Sequence, residues 1–183
     1  MFARVGIAVT DLAAARIAET TDEDDLESGS TYEENALAKA RFFHARSGLA
    51  TVADDSGIEV SALGGAPGVH SKRWSGEALA GDALDAANNA LLLRRLGNAD
   101  DRRARYVCVA TYVDGEREIL ARGESAGRII SVPRGSGGFG YDPYFESDEL
   151  RKTFAEVSMD EKARVSHRAR AFAKLLQQLQ SQR

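Results

Sequence analysis

Ala53-Asp54-Asp55-Ser56-Gly57-Ile58-Glu59-Val60 is the stretch on which the reading of this chain turns. Leu49-Ala50-Thr51-Val52 runs ahead of it, short, apolar and β-branched, and reads as a buried strand bounded by Gly48. The strand is expected to stop at the two carboxylates, the hydroxyl and the glycine. Adjacent aspartates at a strand end cost stability unless they are solvated, paired or holding a cation. Hard cations such as Mg²⁺ take oxygen ligands and share them with phosphate. Two readings therefore stand side by side: a Mg²⁺ site for a phosphorylated substrate, or a plain polar turn built from Asp, Ser and Gly.

The bulk numbers narrow the field. With 183 residues, 43% of them hydrophobic and 28% charged, the chain has the size and composition of one soluble domain with a real core, or of two small lobes. A net charge of -4 argues against a general nucleic-acid binder, which needs a basic face. The single cysteine, Cys108, excludes an internal disulfide framework and sits in an apolar run where a free thiol acts as a small core residue. No apolar run is long enough for a membrane span, and Met1-Phe2-Ala3-Arg4 does not open a signal peptide, so a cytoplasmic protein is expected.

Outward from the organising stretch, Thr31 stands three residues before Glu34, a capping-box spacing, and opens a helix that ends at Gly48. Phe2 to Val9 reads as a short strand, Asp11 to Ile17 as one or two helical turns, and Thr21 to Gly29 as a solvated acidic loop. Ala62 to Gly68 is a glycine-rich loop, and Asp82 to Leu96 a helix whose apolar positions are Ala83, Ala87, Ala90, Leu91 and Leu93. Ala104 to Val113 reads as a strand, Asp114-Gly115 as a hairpin turn into Glu116 to Ala121, and Arg122 to Val132 as a further strand pair. Ser158 and Glu161 repeat the capping box. Ser166 restarts a last helix carrying Phe172, Leu175, Leu176 and Leu179 as its apolar stripe. Strands and helices are mixed, so the class is α/β with a mixed sheet.

Two further segments carry chemistry. Arg134-Gly135-Ser136-Gly137-Gly138-Phe139-Gly140-Tyr141-Asp142-Pro143 lets backbone N–H groups approach a ligand, while Phe139 and Tyr141 either stack on a base or fill the core. Glu161 to Arg168 gathers Lys162, Arg164, His167 and Arg168, either as anion and base contacts or as a solvated basic face. His44, His70 and His167 show no metal-ligand spacing.

Together these pieces resemble the Ham1/RdgB-type inosine triphosphate pyrophosphatases from about Phe2 to the C-terminal helix. The matching motifs are Glu27-Ser28-Gly29-Ser30-Thr31-Tyr32-Glu33-Glu34-Asn35-Ala36, Ala53-Asp54-Asp55-Ser56-Gly57, Leu63-Gly64-Gly65-Ala66-Pro67-Gly68-Val69, Gly137 to Pro143, and Ser166-His167-Arg168. The resemblance implies one ITPase-like (Ham1/Maf-like) α/β domain over residues 1–183, with two lobes around a long mixed sheet. It also implies a homodimer and Mg²⁺-dependent hydrolysis of ITP, dITP or XTP to monophosphate and pyrophosphate. By match, Asp55 is the general base and a metal ligand, with Glu27 as the second metal carboxylate. Ser56, Phe139, Gly140, Tyr141, Asp142, Lys162, His167 and Arg168 contact the substrate; Lys39 and Arg73 are lesser phosphate candidates. Glu34 is left to its capping box. The family's Thr/Ser-Gly-Asn-x-x-Lys phosphate loop has no counterpart here, so the first strand and helix are expected to be missing. That absence keeps a binding-only relative open beside the enzyme.

Overall fold

The computed structural model describes residues 7–17 and 26–181. The expected strand over Phe2 to Val9 and acidic loop over Thr21 to Gly29 therefore lie partly outside the described residues. Residues 12–16 form a turn, with Ala15 N–H donating to Asp11 O at 3.0 Å.

Helix α1, Tyr32–Ser47, starts and stops where local chemistry dictates. Thr31 caps the Glu34 N–H, and the Glu34 carboxylate returns to the Thr31 N–H at 3.2 Å. Gly48 ends the helix at φ +67°, a left-handed conformation that a side chain would strain. Strand β1, Thr51–Val60, then departs from expectation. It does not stop at the carboxylates but carries Asp54, Asp55 and Ser56 in mid-strand. The alternation of a strand sends successive side chains to opposite faces. Asp55 meets Asn35, whereas Asp54 accepts from the Cys108 thiol at 3.5 Å, so each acid has a partner and no turn is needed.

Two short 3₁₀ turns, Ser61–Leu63 and Gly68–Arg73, lead to helix α2, Gly81–Leu96. Its buried positions are Asn88, Asn89, Leu92 and Leu96 rather than the expected alanines and Leu91. Strand β2 is Arg103–Val113 and β3 is Glu118–Ile129, one continuous strand where a strand over Glu116 to Ala121 and a further strand pair over Arg122 to Val132 were expected. The turn between them is held by Asp114, whose carboxylate accepts from the Glu116 and Arg117 N–H groups at 3.1 and 2.8 Å. A three-residue strand, β4 (Phe145–Ser147), pairs antiparallel with β3, setting Ile129 opposite Phe145. The sheet order is β1-β2-β3-β4. Helix α3, Met159–Val165, has its Ser158–Glu161 capping box, and α4, His167–Ser181, follows with Ser166 Oγ accepting from the Ala169 N–H at 3.2 Å.

Two compact units divide the chain. The first comprises residues 1–55, 108–123 and 170–183; its core joins Cys108, Ala110, Ile119, Ala121, Ala171, Leu175 and Leu179. The second comprises residues 56–107 and 124–169. Its core is built from Ile58, Leu92, Tyr106, Ile129, Tyr141, Phe145 and Phe154. The division falls inside β1, between Asp55 and Ser56. Among the described residues no helix is long and apolar enough to cross a membrane.

Candidate active site

In the first unit, α1, β1 and the segment ahead of α1 bring three charged side chains to one point. Lys39 Nζ donates to Glu27 Oε1 at 3.0 Å and to Asp55 Oδ1 at 3.1 Å. Asp55 is 7% exposed. Its other oxygen, Oδ2, accepts from Asn35 Nδ2 at 3.0 Å, and Asn35 Oδ1 in turn accepts from the Gly29 N–H at 2.8 Å. Asn35 is 1% exposed, so one amide ties the Glu27 loop to the Asp55 carboxylate. Burial acts against the Lys39 ammonium, but the Asp55 and Glu27 charges outweigh it and hold the lysine above its ordinary pKa. Two carboxylates thus share the Lys39 ammonium.

The donor chemistry there fits a magnesium ion. Mg²⁺ is held by one or two carboxylates together with substrate phosphate oxygens and waters, not by a complete protein cage. Glu27 and Asp55 supply such a pair, converging on a single cationic point. Among the described residues no group of three or more His, Cys, Asp or Glu side chains forms a metal cluster by itself.

In the second unit, the glycine-rich loop, β2 and the α3–α4 junction build an aromatic frame. Asp142, 2% exposed, accepts from Lys162 Nζ, from the Phe139 N–H at 3.0 Å and from the Tyr106 hydroxyl at 3.2 Å. Lys162 lies over the Phe139 ring at 4.8 Å and the Phe154 ring at 5.2 Å. Tyr106 stacks on His167 with centroids 4.7 Å apart and planes within 8°. Burial, then the neighbouring Arg168 and Lys162 cations, pushes His167 down to about 3, so its ring is neutral. His167 Nδ1 is buried without a hydrogen-bond partner among the described residues. Arg168 reaches Ser56 Oγ at 3.3 Å. A Cβ on Gly138 would meet Asp142 Oδ2 at 2.1 Å, which explains a glycine at that φ +74° position.

The comparisons decide the family. The model described as the Ham1 family matches residues 1–178. The chain belongs to the Ham1 family. It is 52% identical over 156 residues to a dITP/XTP pyrophosphatase of Ralstonia nicotianae, covering 84% of this chain and 77% of that protein. It is 54% identical over 157 residues to a dITP/XTP pyrophosphatase of Mycobacterium bovis, covering 85% and 75%. A solved Ham1 protein from Coxiella burnetii superposes with a TM-score of 0.80 at 36% identity, covering 92% of this chain and 84% of that one.

For this Ham1-family chain, the expected residues fall into groups. Glu27 and Asp55 meet at Lys39. Phe139, Asp142, Lys162 and His167 gather around Tyr106, and Ser56 joins Arg168. Phe139 and Tyr141 differ in burial. Phe139 is 63% exposed, whereas Tyr141 is 4% exposed, fills the core and gives its hydroxyl to Ser71 O. Arg73 is exposed. Glu34 serves its cap. Asn35 and Tyr106 went unread in the sequence. Both resemble ordinary core or helix residues until the partner side chain, contributed from elsewhere in the chain, is known.

Proposed function

We propose that this Ham1-family chain hydrolyses non-standard purine nucleoside triphosphates (ITP, dITP or XTP) to the monophosphate and pyrophosphate. The observation that carries the reading is the buried Asp55 carboxylate, fixed by Asn35 and Lys39 and sharing its cation with Glu27. The dITP/XTP pyrophosphatase names of the Ralstonia and Mycobacterium relatives support it.

Each unit supplies one chemistry that the reaction needs. In the first, Glu27 and Asp55 would hold Mg²⁺, which when bound neutralises phosphate charge and makes a coordinated water more acidic. Asp55 accepts the proton of the attacking water, and Lys39 offsets negative charge on the transferring group. In the second, Phe139 offers an exposed ring face to a purine. Lys162, His167 and Arg168 supply donors for a 6-oxo group, where an adenine would present its own amino donor. A site whose polar groups are left unpaired by the wrong base rejects it strongly. Ser56 and Gly140 contribute contacts to the substrate, and Asp142 and Tyr141 keep the frame in place. A homodimer, a cytoplasmic location and one domain spanning both units complete the proposal.

The test is to incubate the protein with ITP and Mg²⁺ and resolve the products. IMP and pyrophosphate in equal amounts, lost on chelation and in Asp55→Asn, are expected. Orthophosphate release would make the protein a phosphatase. Binding of ITP without turnover would make it a nucleotide-binding relative.

A further inference from the structure

Helix α2 buries polar side chains where a packing helix would place leucine. A buried polar group is costly unless bonded, so its partners show what it is for. Asn88 serves one loop: its Oδ1 accepts from the Ser75 N–H at 2.7 Å and its Nδ2 donates to Lys72 O at 3.0 Å. Asp85 and Asn89 serve the other. Asp85 Oδ2 accepts from the Gly140 N–H at 2.6 Å, and Asn89 Nδ2 donates to Gly140 O at 2.8 Å. Asn89 Nδ2 also donates to the Asp85 backbone carbonyl at 2.8 Å, which fixes the Asn89 amide against its own helix. One turn of α2 therefore grips both backbone polar groups of a single residue, 51 and 55 positions away in the chain. The grip is asymmetric: Asn89 Oδ1 is left buried and unpartnered among the described residues. An amide that spends both hydrogens on carbonyls and leaves its oxygen orphaned is placed for the carbonyls, not for its own satisfaction.

Gly140 stands at φ +61°, between Phe139 and Tyr141. Tyr141 is anchored in the core through Ser71 O. The Phe139 ring is exposed, and its backbone is held only through Asp142 and its neighbour Gly140. The orientation of the Gly140 peptides therefore sets where the Phe139 ring stands and how Asp142 faces Lys162.

We propose that Asp85 and Asn89 are positioning residues that clamp Gly140 and so set base discrimination without touching the nucleotide. The link to discrimination rests on the function proposed above; the clamp itself does not. Two measurements on the full-length protein separate them. Hydrogen exchange of the Gly137–Asp142 amides needs no substrate, and kcat and KM for ITP and ATP read recognition. In Asp85→Ala the Gly140 amide is expected to exchange about tenfold faster or more, since a charge-assisted bond is lost. KM for ITP should rise about tenfold with kcat changed less than about threefold, and the preference for ITP over ATP should fall about fivefold. Asn89→Leu should follow the same pattern, while Asp85→Asn, which keeps an acceptor, should restore both readouts to within about twofold. Unchanged exchange in Asp85→Ala would overturn the clamp. Faster exchange with an unchanged ITP:ATP preference would overturn its role in recognition. So would an equal loss of rate on both nucleotides that tracks a lowered Tm. A wild type that turns over no triphosphate would sink the pyrophosphatase reading and leave the clamp to be decided by exchange.

Discussion

Among the described residues Lys39 pairs with Asp55 and Lys162 with Asp142, and the two pairs are built for different ends. Lys39 and Asp55 in the first unit share their contact with Glu27, so two carboxylates face one ammonium. Lys162 and Asp142 in the second are matched one to one and lie against Tyr106, Phe139 and Phe154. The first puts two carboxylates on one ammonium, an arrangement that suits a further cation. The second matches one charge with one and holds the frame together. Counting charges at the point of convergence separates a cation seat from a scaffold pair, where residue types alone do not.

The most severe break in the comparison is Asp55→Asn. It keeps the shape, and its amide can still lie against its neighbours, but it takes up no proton and binds a hard cation poorly. Pyrophosphate release from ITP is expected to fall about 10³-fold or more, as for loss of a general base that also grips a metal. A loss below tenfold would remove Asp55 from the chemistry. Next comes the lysine pair itself. Lys162→Met strands a carboxylate that is 2% exposed, a change expected to cost about 3–5 kcal/mol in urea unfolding. Lys39→Met should cost less, because Glu27 is 30% exposed and partly solvated. The sharper contrast lies in the response to magnesium: millimolar Mg²⁺ should restore the Tm of Lys39→Met and leave that of Lys162→Met where it was. Equal rescue of both, or of neither, would erase the distinction between seat and scaffold.

A smaller effect is expected at Asn35, which orients Asp55 through Nδ2 and the Glu27 loop through Oδ1. Outer partners of metal carboxylates typically contribute 10–100-fold in affinity or activity. Asn35→Ala should weaken Mn²⁺ binding, followed by electron paramagnetic resonance, by about that factor, while kcat for ITP falls in parallel. Unchanged Mn²⁺ affinity would reduce Asn35 to a fold residue.

What could be read from the sequence follows the range of the interactions. Thr31 with Glu34, Ser158 with Glu161, Gly48 and Asp114-Gly115 act within four residues, and each does in the fold what its spacing announced. The motif residues were also found, yet their local setting was misjudged at β1. Asp54-Asp55 has the local look of a strand end because the partners of those acids, Asn35, Lys39 and Cys108, lie far along the chain. The polar face of α2 was missed for the same reason: Asp85 and Asn89 look like surface residues until Gly140 arrives. Strand β4 has only three residues, too few to announce itself by alternation.

The mildest expected effect concerns His167, the titratable ring of the second unit. Folded, it stays neutral down to about 3, against an ordinary value of 6.5, because burial and then the Arg168 and Lys162 cations disfavour its charge. Between those values the unfolded chain binds the proton and the folded chain does not, so stability rises with pH through this window and is complete above 6.5. From pH 7.5 to pH 5 the group should withdraw about 1–2 kcal/mol, less than the full linkage because local opening hydrates the ring. Most carboxylates titrate below that interval, and comparing wild type with a His167 variant removes whatever His44 and His70 contribute. Urea midpoints at the two pH values should therefore draw together in His167→Gln, whose amide keeps polarity without taking up a proton. An identical acid loss in wild type and variant would show that the Tyr106–His167 stack opens to water before it titrates, and that the second unit is less sealed than its charge balance implies.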